Sequence, residues 1–191
     1  DCYIFSGSEN IIPFFLNNKT LKKKFKFYFT YKKNPNYTKV LNEKINTNKK
    51  NINSLEYSHE KIILKNYLIK KFFYYFDFLF NILDGFQIYK EINKIKPDEI
   101  FINNGGYPGA RTSRSFAIIA IFYSLFKKKM KISMYVNNIA RDYKSIKRKF
   151  DLPVDKIINL GVNNFLVASN FTKKILNKRV NINREKIKVL P

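Results

Sequence analysis

Residues 98–126 read DEIFINNGGYPGARTSRSFAIIAIFYSLF. Ile100, Phe101 and Ile102 form a short apolar run of the length and composition of a buried strand. Asn103, Asn104, Gly105, Gly106, Tyr107, Pro108 and Gly109 then interrupt any regular element. A long apolar segment begins near Arg111 and reaches Phe126, with Thr112, Ser113 and Ser115 placed as caps or first-turn residues. A strand, a glycine-rich loop and a helix in that order place a ligand at the carboxyl edge of a parallel sheet. The paired glycines admit a close backbone approach that a Cβ would block. The free N–H groups at the helix start, with Arg111 and Arg114 beside them, favour an anionic or hydroxyl-rich ligand.

The pattern repeats downstream. Residues 132–136 (ISMYV) read as a second strand, ending in the polar run Asn137, Asn138, Ile139, Ala140, Arg141. Residues 153–160 have helical character, with Gly161 at their end. Residues 165–168 (FLVA) read as a third strand, and Ser169 as the N-cap of a short basic helix over 170–178. Residues 187–190 (IKVL) read as a last strand. Alternating strands and helices predict an α/β fold, a Rossmann-like parallel sheet with helices on both faces and right-handed crossovers. The candidate ligand residues at its carboxyl edge are Asn104, Gly105, Gly106, Tyr107, Arg111, Arg114, Asn137, Asn138, Arg141 and Ser169.

Upstream the signals are weaker. Residues 1–18 hold a turn-like cluster, Ser6, Gly7, Ser8, Glu9 and Asn10, before an apolar segment containing Pro13. Ser8 is placed to cap a helix there. A chain rarely starts on a ligand loop, so a first strand is expected before Asp1. Residues 24–31 (KFKFYFTY) alternate and predict a strand. Residues 32–66 are rich in Asn and Lys and read as a long polar loop or insertion, with Asn34, Pro35 and Asn36 as a turn signal and His59 on its surface. Residues 67–83 predict an aromatic-rich helix. Gly85 separates it from a helix over 86–95, which Lys96, Pro97 and Asp98 bring to a stop.

Composition bounds the function classes. The chain has 191 residues, 45% of them hydrophobic, which fits one domain or one large lobe with a packed core. One cysteine, Cys2, excludes an internal disulfide framework. One histidine excludes a zinc site of clustered His and Cys. No signal peptide is legible, and no apolar run reaches the roughly 20 residues of a membrane span. The formal charge of +23 invites a nucleic-acid reading. Against it, the cations are mostly Lys and are scattered, and the wealth of Lys, Asn, Ile, Phe and Tyr matches codons made of A and T. An anionic membrane surface would attract such a chain equally well.

Taken in order, several stretches resemble the N-terminal lobe of a family 4 glycosyltransferase of the two-lobed GT-B architecture. Ser6, Gly7, Ser8 and Glu9 are similar to the glycine loop after the family's first strand. Residues 96–106 (KPDEIFINNGG) resemble a later strand and its glycine loop, and residues 136–138 (VNN) fall where the family has a Val-His-Asn strand end. Residues 165–170 (FLVASN) and 186–191 (KIKVLP) resemble a strand with its helix start and the strand leading to the second lobe.

The resemblance implies retaining transfer of a sugar from a nucleotide sugar to a glycan or glycolipid acceptor, with no metal and no further cofactor. It implies a cytoplasmic enzyme, peripheral at an inner membrane face, in polysaccharide biosynthesis. Residues 1–191 would be the acceptor-side lobe, and a donor-binding lobe would follow Pro191, so that this part alone is inactive. Gly7 and Ser8 would approach the donor phosphates, and Glu9 would be a further substrate-binding residue. Gly105, Gly106 and Tyr107 would shape the cleft near the sugar, and Arg111, Arg114 and Arg141 would hold phosphate or an anionic acceptor. Asn137 stands where the family often carries a catalytic-site His, and an Asn cannot shuttle a proton at neutral pH. A basic nucleic-acid-binding module and a non-catalytic partner subunit are the rival readings. A dinucleotide-dependent oxidoreductase is disfavoured, since no Gly-x-Gly-x-x-Gly turn is present.

Overall fold

The computed structural model describes residues 10–45, 51–55, 77–107, 111–144, 149, 151–179 and 181–190. The chain divides into two compact units, residues 1–78 and 79–191.

In the first unit, α1 (Ile11–Asn17) and α2 (Lys19–Lys24) meet at Asn18. Asn18 turns extended, and its side chain accepts from the Leu21 amide at 3.0 Å, so one residue ends one helix and caps the next. The expected strand over 24–31 is shorter and lies later. Lys24 belongs to α2, and only β1 (Phe29–Lys32) is paired.

The expected polar loop over 32–66 holds regular structure where it is described. Asn34, Pro35 and Asn36 are not a turn but a helix start. The Asn34 side chain accepts from the Asn36 and Tyr37 amides, and Pro35 occupies the first turn of α3 (Pro35–Lys44), where no amide donor is missed. The apolar face of α3 is narrow, Tyr37 and Leu41 only, which is why its period is hard to read among Asn and Lys. Burying a side chain such as Leu41 contributes about 1.5–3 kcal/mol. The helix leads to β2 (Ile52–Leu55), which pairs in parallel with β1 from Phe29 opposite Ile52 to Lys32 opposite Leu55. Ile12, Leu16, Tyr37, Leu41 and Ile45 form the unit's core.

The second unit holds the α/β sheet. Its strands are β3 (Glu99–Asn104), β4 (Lys131–Val136), β5 (Asn164–Val167) and β6 (Ile187–Val189), all parallel and adjacent in chain order. The register aligns Ile102, Met134, Phe165 and Ile187 in one row across the sheet, all buried. The helices are α4 (Asp77–Ile95), α5 (Arg111–Phe126), α6 (Asp151–Gly161) and α7 (Asn170–Leu176). Each step from β3 to β6 goes the same way across the sheet; α5 packs on β3, β4 and α6, and α7 packs on β5 and β6. The parallel α/β architecture, compatible with a Rossmann-like fold, is as expected. Phe101, which alternates with the buried Ile100 and Ile102 along β3, is exposed and stacks on Tyr135 at 6.2 Å.

Gly85 does not separate two helices. It lies inside α4, buried, where a Cβ would come within 2.9 Å of the Ile119 side chain on α5. The glycine marks a close helix crossing. Residues 56–76, which hold most of the predicted helix over 67–83, lie outside the described residues. The stop at Lys96 is as expected: its φ of 49° is left-handed, its amide closes on the Ile92 carbonyl at 2.7 Å, and Pro97 follows.

Candidate functional site

The loops after β3 and β4 run side by side at the carboxyl edge of the sheet. Asn104 O accepts from the Asn137 amide at 3.2 Å, and Tyr107 O from the Arg141 amide at 2.9 Å. Between these bonds Tyr107 and Ala140 form an isolated parallel bridge. The pairing of the two strands thus continues into their loops and fixes the glycines against the asparagines. A Cβ on Gly106 would sit 3.8 Å from that of Asn138, while one on Gly105 would meet nothing within 4 Å. Gly105 and Asn138 are exposed and Asn137 is half-buried. These residues present backbone amides and carboxamides to an open edge.

Other candidates are placed differently. Asn104 is buried opposite Val136 on β4, its side-chain amide 4.0 Å from the Met134 sulfur. Tyr107 is 1% exposed, edge-on to Phe165 at 6.0 Å, and so packs inside the unit where a cleft-lining role was expected. Arg114 lies 3.5 Å from Asp151 across the α5–α6 contact. The Arg141 side chain is exposed while its backbone is engaged at both ends. Ser169 is the N-cap of α7, accepting from the Thr172 amide at 3.1 Å, as its sequence context predicts. Asn137 Oδ1 accepts from the Tyr135 hydroxyl at 3.1 Å. Arg111 opens α5. Gly7, Ser8 and Glu9 lie outside the described residues.

Beneath this edge is a buried charged cluster absent from the sequence reading. Arg179 Nε donates to Asp155 at 2.6 Å, and the pair is withdrawn from solvent at 3% and 0% exposure. The Arg179 guanidinium stacks between two rings, 4.9 Å from the centre of Tyr107 and 4.2 Å from that of Tyr143. It also donates to the Arg141 carbonyl and reaches Asp151 at 3.8 Å, while the Tyr143 hydroxyl donates to Asp155. One side chain thus ties α6, both loops and the segment after α7 together. Burial, with the Asp155 charge beside it, holds the Tyr107 phenol well above its ordinary pKa. The same causes raise Tyr143. Burial pulls the Arg179 guanidinium down, but its hydrogen bond and charge pairing with Asp155 win, so it stays cationic. The legible signal was Asp151 and Asp155, four apart on a helix in a chain with only 14 acidic residues. Nothing near Arg179 distinguishes it from its basic neighbours.

Among the described residues, no three His, Cys, Asp or Glu come together to hold a metal ion. No helix among them is long and apolar enough to cross a membrane. No protein-family model, curated protein or solved structure matches the chain.

Proposed function

We propose that the chain is the acceptor-side lobe of a retaining glycosyltransferase, binding a glycan or glycolipid acceptor for transfer from a nucleotide sugar. The observation that carries this reading is the bridge of Tyr107 to Ala140. It sets Gly105 and Gly106 against Asn137 and Asn138 at the carboxyl edge of a parallel sheet, where α/β folds take their ligands. Amides and carboxamides donate and accept at once, which matches sugar hydroxyls. None of these four residues titrates near neutral pH, so they bind and orient; proton transfer falls to other groups.

The test is backbone-amide NMR of the chain titrated with uridine and guanosine diphosphate sugars and with an oligosaccharide panel. Shifts at Gly105, Gly106, Asn137 and Asn138 on adding a saccharide are the expected result. No response to any saccharide, or a response only to oligonucleotides, would overturn the reading.

A further inference from the structure

The opposite edge of the second unit carries a surface of different chemistry. Here α5 and α6 end together, so closely that a Cβ on Gly161 would run into the branched side chain of Ile121. Four large apolar side chains stand out near that junction: Phe126 at 76% exposure, Leu160 at 73%, Leu125 at 68% and Phe122 at 46%. The Phe122 and Phe126 rings stack, 6.4 Å apart and 7° from parallel, so these two form one apolar slab. Leu125, Phe126 and Leu160 share a shallow concavity with Lys127, Lys128 and Lys129. Lys128 is held by Asp98 at 2.7 Å, but Lys127 and Lys129 point to solvent. Among the described residues, no carboxylate lines this concavity.

Clustered apolar side chains of this size are unfavourable in water and mark an interaction surface. The lysines decide the occupant. A second copy of a chain of net charge +23 would set lysines against lysines. A bilayer containing anionic lipid accepts both features, the acyl region taking Phe and Leu and the headgroups taking the lysines. The geometry points to a peripheral docking surface for an anionic lipid bilayer, formed by Phe122, Leu125, Phe126 and Leu160 with Lys127 and Lys129. The sugar-transfer reading implies attachment at a membrane face without naming a surface; this assignment names the surface, and it rests on the patch and not on that reading. The patch lies a strand's length, about 20 Å, from the glycine and asparagine loops, so docking leaves those loops open to solution.

The chain contains no tryptophan, so a single one introduced here is an unambiguous reporter. The experiment compares Phe126→Trp with Phe171→Trp, a control at the start of α7, on phosphatidylcholine vesicles with and without phosphatidylglycerol, with bromine on the acyl chains. The expected result is blue-shifted, quenched emission for Phe126→Trp only, and only with phosphatidylglycerol. Leu125→Ser with Leu160→Ser in that background should lower partitioning about tenfold or more. Lys127→Gln with Lys129→Gln should do the same at low salt. These residues are exposed, and circular dichroism checks that each variant is folded. Co-sedimentation without quenching would mean attachment by general charge and would overturn the proposal. So would equal quenching of Phe171→Trp, or a dimer in solution that the serine variants break. Saccharide-induced shifts at Gly105 and Asn138 would be unaffected by any of these outcomes, so the two readings fail separately.

Discussion

Arg179 and Asp155 are bonded side chain to side chain at 2.6 Å, both out of reach of water, between the rings of Tyr107 and Tyr143. The pair lies directly under the loop bridge that frames the candidate site. The order of the carboxyl edge therefore rests on a contact between residues 24 positions apart, on different elements.

Asp155→Ala should destabilise the second unit by about 3–5 kcal/mol, because it leaves a buried guanidinium without its counter-charge. Urea unfolding followed by circular dichroism measures this. Replacing both partners, Asp155→Leu with Arg179→Met, should recover most of the loss, since the desolvation penalty goes with the charges. A double variant no better than the single one would show that the geometry of the pair, and not the orphaned charge, sets the cost.

The two tyrosines set an alkaline limit. Tyr107 and Tyr143 both have folded pKa values raised above the ordinary 10.0. Above pH 10 the unfolded chain releases these protons while the folded one keeps them. The folded state then binds more protons, and stability falls as pH rises. Below pH 10 their contribution is fully present. Tyr143→Phe should flatten the fall in melting temperature above that pH, and an unchanged slope would remove Tyr143 as its cause.

Three glycines should respond differently to alanine. At Gly161 the new methyl meets the branch point of Ile121, which cannot rotate away, so a loss of about 1–3 kcal/mol is expected. At Gly85 it meets the end of Ile119, which can turn, and the gain in helix propensity offsets the contact. At Gly105 it meets nothing, so stability should hold or rise by about 0.4–1 kcal/mol. Thermal melts of the three variants give the order. Any loss of saccharide response in Gly105→Ala would then report on the site and not on the fold.

Ser169 separates capping from recognition. Ser169→Ala should cost about 1 kcal/mol through the lost cap of α7, and Ser169→Asp should restore it. A ligand response that returns with Asp would leave the hydroxyl no role of its own beyond the cap.

Much of the second unit was legible along the chain. The apolar runs at 100–102, 132–136 and 165–168 became β3, β4 and β5, since a strand buried on one face needs only a few branched or aromatic residues in sequence. Ser169 and Lys96 marked helix ends because capping is local chemistry. The first unit was harder. α3 and β2 bury few side chains each, and Asn34-Pro35 serves equally as a turn or as a helix start until packing chooses.

The sequence by itself determined the parallel α/β class, the carboxyl-edge loops and the bounds of the central helix, all of which follow from period, punctuation and caps within a few residues. Tertiary structure decided that Tyr107 is core, that Gly85 is a helix crossing, and that Arg179 and Asp155 meet beneath the loops. It also gathered Phe126, Leu160 and Lys129 onto one surface. Those outcomes depend on which side chains converge from distant segments, and periodicity carries no information about distance across a fold.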